Sequence, residues 1–186
     1  NGLAPETIAT ILNNDDVSPA AKTKLTTQII ASWPPEKIAS IFIVGDATKG
    51  IDIGLCESPA ESLIVALNTA GKLDDVLATM TKEQVLALIN TGDGIDDPAL
   101  GHAFIALVAN AAAGVAGSID TLAYLLSPGN MNHHGQEALL GTTGFSDFIL
   151  GEVVKKLGVS NTATLVGSAE GYVTKLLTVA RTSFSA

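Results

Sequence analysis

Glu83-Gln84-Val85-Leu86-Ala87-Leu88-Ile89-Asn90-Thr91-Gly92-Asp93 is the stretch whose reading decides the fold. An acid opens it, apolar residues follow at offsets +2, +5 and +6 (Val85, Leu88, Ile89), and an acid closes it at +10. Those three offsets fall on one stripe of an α-helix. The opening Glu sits in the first turn, where negative charge complements the helix dipole. The closing Asp falls where the helix should stop.

The same phrase recurs on both sides. It reads Glu6, Ile8, Ile11, Leu12, Asp16, then Glu36, Ile38, Ile41, Phe42, Asp46, and more loosely Asp120, Leu122, Leu125, Leu126, Asn130. A second signal follows the three sharp copies: Ser18-Pro19-Ala20, Ser58-Pro59-Ala60 and Asp97-Pro98-Ala99. In each, a side chain able to bond first-turn amides stands directly before a proline, which is tolerated at the first helical position. The repeating unit is therefore helix, polar loop, capped second helix. Its opening acids at 6, 36, 83 and 120 are unevenly spaced, whereas a regular solenoid family holds its period.

The periodicity predicts helices near 5–14, 18–32, 35–44, 59–70, 73–79, 82–91, 98–113, 118–126, 136–142, 145–157 and 162–183. Thr81 and Gln84 are spaced for a capping box. The β-branched run Ile41–Val44 is the one strand alternative, too short to found a sheet. The expected fold is all-α: stacked helix–loop–helix units forming either a short irregular α-solenoid or a compact helical bundle. One domain spans 1–186, with units near 3–33, 34–71, 80–114 and 118–143 and a divergent part from 144 to 186. In that last part glycines enter the helical pattern (Gly141 just before it, then Gly151, Gly167, Gly171), as they do where helices approach closely.

Met80-Thr81-Lys82-Glu83-Gln84-Val85-Leu86-Ala87-Leu88 resembles the opening helix of the DNA-reading repeats in bacterial transcription activator-like effectors. The likeness is confined to this short segment. The strict repeat length of that family is absent and the loop after Leu88 departs from it, so no base-reading residue is carried over.

Composition narrows the function classes. Hydrophobic residues make up 47% of the chain, and adding the 18 glycines while leaving out the 2 tyrosines raises this to roughly 55%, against about 45–50% for soluble domains. Charged residues are only 16%, against about 25%. Either the core is rich in small residues or another chain covers some apolar surface. The net charge of −9 repels phosphate backbones and anionic membranes, so nucleic-acid binding is disfavoured. Residues 98–119 carry no Asp, Glu, Lys or Arg, yet they are mostly Ala and Gly, contain His102, Asn110 and Ser118, and lack interfacial anchors. A buried small-residue helix is expected there rather than a membrane span. The start at Asn1-Gly2 rather than Met fits a processed product or an excised piece, and an extracellular location is compatible with the former, although a single cysteine fixes no compartment.

Candidate chemistry is sparse. His133 and Glu137 lie four apart, so on a helix they share a face, with His134 or His102 as a third metal ligand. The bland alternative is a solvated loop, since Gly135 weakens a helix there. The histidine pair is also a candidate pH sensor. Cys56 precedes Glu57 and a capped helix, a setting that can activate a thiol, but a general base must also be in reach. The runs Asn13-Asn14-Asp15-Asp16 and Asp93-Gly94-Ile95-Asp96-Asp97 lack the alternating ligands and terminal Glu of a calcium loop and read as helix ends. Trp33, like Leu3 and Met80, stands three residues ahead of an opening acid, where it staples the first turn and can also anchor an interface.

The expected function is non-enzymatic: a self-assembling subunit or protein-binding module, with no cofactor. Its interface candidates are Trp33, Ala109, Ala113, Gly114, Gly117, Leu139, Leu140, Phe145 and Phe148. The alternatives are a small-molecule or metal-binding carrier or enzyme with a pocket lined by His102, His133, His134 and Glu137, and a secreted effector that binds a host protein.

Overall fold

A computed structural model of the protein describes residues 2–43, 59–90 and 98–185. The closing acids Asp46 and Asp93, the caps Ser58 and Asp97, the run 93–97 and Cys56 lie outside the described residues. Among the described residues there are helices and no strand. The helices are α1 (Pro5–Asn13), α2 (Pro19–Ser32), α3 (Pro35–Ile43), α4 (Pro59–Thr69), α5 (Leu73–Ala78), α6 (Lys82–Asn90), α7 (Pro98–Ala112), α8 (Ser118–Leu126), α9 (His133–Leu140), α10 (Asp147–Ser168) and α11 (Val173–Phe184). A 3-10 turn, Glu170–Tyr172, joins the last two. The fold is all-α, and Ile41 to Ile43 close a helix rather than form a strand.

Local chemistry sets these boundaries. Prolines 5, 19, 35, 59 and 98 each open a helix, where the missing N–H is not needed and φ is already helical. The Ser18 hydroxyl accepts from the Ala21 amide at 3.4 Å. Thr81 and Gln84 form the reciprocal box: the Thr81 amide donates to Gln84 Oε1 at 2.8 Å, and the Gln84 amide to Thr81 Oγ1 at 3.3 Å. Glu6, Glu36, Glu83 and Asp120 occupy first turns and are exposed. The apolar stripes behind them are spent in the core: Ile8 and Leu12, Ile38 and Ile41, Val85 with Leu88 and Ile89, and Leu122 with Leu125 and Leu126 are all buried.

Helices stack on the next but one. In one row α1 packs on α3, α3 on α5, α5 on α7 and α7 on α9; in the other α2 packs on α4, α6 on α8 and α8 on α10. Helix α7 also touches α4 and α8. That many neighbours explain why the uncharged stretch is apolar nearly all round: Ala99, Ala103, Phe104, Ala106, Leu107 and Val108 are buried against protein. Among the described residues no helix is long and apolar enough to cross a membrane.

Polar ties cross between layers. Lys72 Nζ donates to the Ile30 carbonyl at 2.7 Å, placing a cation on an otherwise unpaired carbonyl near the end of α2. Asn110 Nδ2 donates to the Asp74 carbonyl at 2.9 Å, and Asn90 Nδ2 to that of Asn130 at 3.1 Å.

The C-terminal part departs from the predicted elements. Helix α10 runs to Ser168 through one non-helical residue, Gly158 (φ 78°, ψ 168°), and the predicted helix 162–183 is broken at Ala169. The break is held from outside. The Glu137 carboxylate accepts from the Gly171 amide at 2.7 Å, and the Ser168 hydroxyl donates to Gln136 Oε1 at 2.8 Å. Gly151 and Gly141 do sit at close approaches, to Ser183 and Tyr172 respectively, while Gly167 faces open space.

The kink leaves one group stranded. Thr10, Thr27, Thr69, Thr142, Thr164 and Thr178 each donate their hydroxyl to the carbonyl four residues back, at 2.8–3.1 Å. The matching carbonyl for Thr162 belongs to Gly158, whose ψ turns it out of the helical direction. Thr162 is 3% exposed, and its Oγ1 has no hydrogen-bond partner. Thr162→Val replaces that hydroxyl with a methyl of similar shape and is expected to raise unfolding free energy by about 1 kcal/mol, read from urea denaturation. An equal loss instead would mean the hydroxyl is satisfied.

Candidate functional site

Two regions hold the residues singled out from the sequence. The first is the start of α9. It begins earlier than predicted, at His133, because the Asn132 side chain accepts from the Gly135 amide at 2.8 Å and caps it. His133 and His134 are exposed, with ring centroids 3.6 Å apart and planes tilted by 46°. Glu137 shares their helix, but its Oε1 accepts from the Gly171 amide and so is committed to holding the 3-10 turn. His102 is half-buried on α7. Among the described residues no group of three or more His, Cys, Asp or Glu is gathered to hold a metal ion, so His102, His133, His134 and Glu137 do not form the expected ligand set. The physical reason is that the carboxylate serves the fold. Asn14 likewise serves a turn, its Oδ1 accepting from the Asp16 amide at 2.9 Å.

The second region comprises the Ala- and Gly-rich connection after α7 and the C-terminal helices. Ala109, Ala113, Gly114 and Gly117 are exposed. Gly114 and Gly117 have φ of 73° and 82°, so the turn itself calls for glycine there. Open grooves of about 470 Å³ and about 400 Å³ flank this turn and share Gly117 and Asp120. The first has Leu77, Met80, Leu107 and Asn110 in its walls; the second is rimmed by Glu152, Lys155 and Lys156. An exposed ion pair, Lys156 to Asp120 at 2.7 Å, joins α10 to α8 and contributes about 0–1 kcal/mol.

The nine interface candidates separate cleanly by burial. Leu139, Leu140 and Phe145 are buried within the chain's own core and present no surface, because α9 and the start of α10 turn those side chains inward. Lys175 Nζ donates to the Phe145 carbonyl at 2.8 Å, which ties α11 to the same place. Trp33 is half-buried against the core, with Lys37 Nζ 3.8 Å above its ring. Met80 packs inward as a staple should, whereas Leu3 stays exposed. Phe148 is 79% exposed.

Phe148 is not isolated in kind. Val159 is 66%, Leu177 52% and Phe184 41% exposed, so most of the large apolar side chains turned to solvent among the described residues belong to α10 and α11. Gly151 lies against Val179 and Ser183. Phe148 and Phe184 are therefore both within one helical turn of that crossing. Sequence reasoning flagged Phe148 but missed Val159, Leu177 and Phe184; a polar, Thr-rich end masked them. No protein-family model, no curated protein and no solved structure matches this chain.

Proposed function

We propose that the protein is a non-enzymatic association module whose C-terminal helices α10 and α11 meet a second copy of the chain. The observation that carries this reading is the gathering of Phe148, Val159, Leu177 and Phe184 in the last two helices, each exposed by two-fifths or more. Single exposed apolar residues are ordinary, but four large ones on two consecutive helices, one of them a phenylalanine four-fifths exposed, are more apolar area than water favours. Aromatic anchors of this kind supply much of the energy at protein interfaces. The low charged fraction, 16%, points the same way. A pocket enzyme has less support, since among the described residues the histidines meet no third ligand and the grooves are open.

Light scattering over a concentration series tests it. The apparent mass is expected to rise with concentration, and more steeply at high salt, because two chains of charge −9 repel one another until screened. Phe148→Ser with Leu177→Ser is expected to abolish the rise and leave the circular dichroism spectrum unchanged. A wild-type chain that stays monomeric at millimolar concentration removes self-association, and binding of an unlike protein by this surface becomes the reading to pursue.

A further inference from the structure

We infer that Gly158 is a hinge through which two copies exchange residues 159–185, converting the kinked α10 into one straight helix and giving a domain-swapped dimer. This goes beyond the surface reading and shares with it only the second copy: an exchanged pair leaves Phe148 and Leu177 exposed, so Phe148→Ser with Leu177→Ser, which abolishes side-by-side association, leaves the exchange intact. Three observations converge on the same residue. Gly158 holds φ 78° and ψ 168°, a region open in practice to glycine alone, within a segment that is helical on both sides. Nothing lies within 4 Å of where its Cβ would be, so close packing is not the reason for glycine there. The buried Thr162 hydroxyl lacks a partner, and the carbonyl four residues back is that of Gly158, turned out of the helical direction. If Gly158 turns helical, Thr162 regains the kind of bond that Thr10, Thr27, Thr69, Thr142, Thr164 and Thr178 make.

Straightening makes α10 a continuous 22-residue helix about 33 Å long. Its second half then carries the 3-10 turn and α11 away from their own body. The contacts released are Gly151 with Val179 and Ser183, Glu137 with Gly171, Gln136 with Ser168, and the Phe145 carbonyl with Lys175. A second copy, opened in the same way, offers every one of them back. The exchange therefore changes little except the hinge, and the hinge gains a hydrogen bond. Opposing it in the closed form, Asn161 Nδ2 donates to the Leu157 carbonyl at 3.1 Å and caps the first half of the helix at the kink.

Gly158→Ala tests the hinge. Alanine is strained in the closed conformation and favoured in the straight helix, so the dimer dissociation constant is expected to fall at least about a hundredfold. Topology is read by Gly151→Cys with Ser183→Cys in a Cys56→Ser background, since a Cβ at 151 lies 3.2 Å from Ser183 Oγ. Oxidation of the Gly158→Ala dimer is expected to give covalent dimers on a non-reducing gel. A dimer that oxidises only to cross-linked monomers overturns the exchange and leaves side-by-side association standing; a monomer at every concentration overturns both. If Gly158→Ala does not fold, the cysteine pair without it is refolded at rising concentration. Covalent dimer that increases with concentration supports the hinge, and intrachain cross-links alone at all concentrations refute it.

Discussion

Leu150→Ala is expected to lower the unfolding free energy by about 3 kcal/mol, within the 2–5 kcal/mol seen for fully buried leucines. Leu150 is completely buried in the first half of α10, the segment that packs on α8 and on α11. Removing its isobutyl group takes away the transfer gain of the lost carbons. It also leaves a cavity, because the surrounding helices relax only partially into it. For a chain of this size the thermal midpoint should drop by about 10 °C. Phe148→Ala, two residues earlier, removes a larger side chain that is mostly in water, and is expected to change stability by no more than about 0.5 kcal/mol. Urea denaturation of the pair checks both, with an unchanged slope showing that the denatured state is unaffected. A larger cost for Phe148→Ala than for Leu150→Ala would mean that α10 presents the opposite face to the body.

The contrast between Leu150 and Phe148 also marks where the sequence stopped being informative. Local rules were legible. The acid and its apolar stripe located α1, α3, α6 and α8, proline marked the helix starts, and Thr81 with Gln84 announced their own box, because each of those interactions closes within one or two turns. What the stripe touches was not legible. Leu139, Leu140, Phe145 and Phe148 read alike as apolar residues in helical register, and only tertiary packing, which for α9 comes from α7 and the 3-10 turn, separates the three buried ones from the exposed one. Nor could the sequence show that Glu137 Oε1 accepts from the Gly171 amide, because that amide comes from a distant part of the chain. The predicted helix 145–157 ends just before Gly158, but glycine permits both a stop and an immediate restart, and the sequence holds no local preference between them.

Gly141→Ala is expected to destabilise the protein by about 1–3 kcal/mol, and Tyr172→Phe is expected to recover part of that loss. Gly141 closes α9 with φ −83° and ψ −7°, a conformation any residue adopts, so backbone strain is not the cause. The cause is proximity. A Cβ there would run into the Tyr172 hydroxyl, stand 3.0 Å from its Cζ and lie 3.2 Å from the Glu137 carbonyl. The ring has little freedom to withdraw, because the turn that carries it is pinned at Gly171 by Glu137 and at Ser168 by Gln136. In the Tyr172→Phe background the worst overlap is gone, and Gly141→Ala should cost about 1 kcal/mol less than it does in the native chain, a coupling measurable by a double-mutant cycle in urea. Additive costs would show that the 3-10 turn does not press on α9. The same coupling separates the closed chain from an exchanged pair. In the closed chain Tyr172 and Gly141 belong to one molecule, so Gly141→Ala and Tyr172→Phe introduced on different copies cannot compensate one another. In an exchanged dimer each tyrosine faces the glycine of its partner, and a mixture of the two single variants should contain heterodimers in which the Gly141→Ala methyl meets the Tyr172→Phe ring and the other contact is native, so neither carries the overlap.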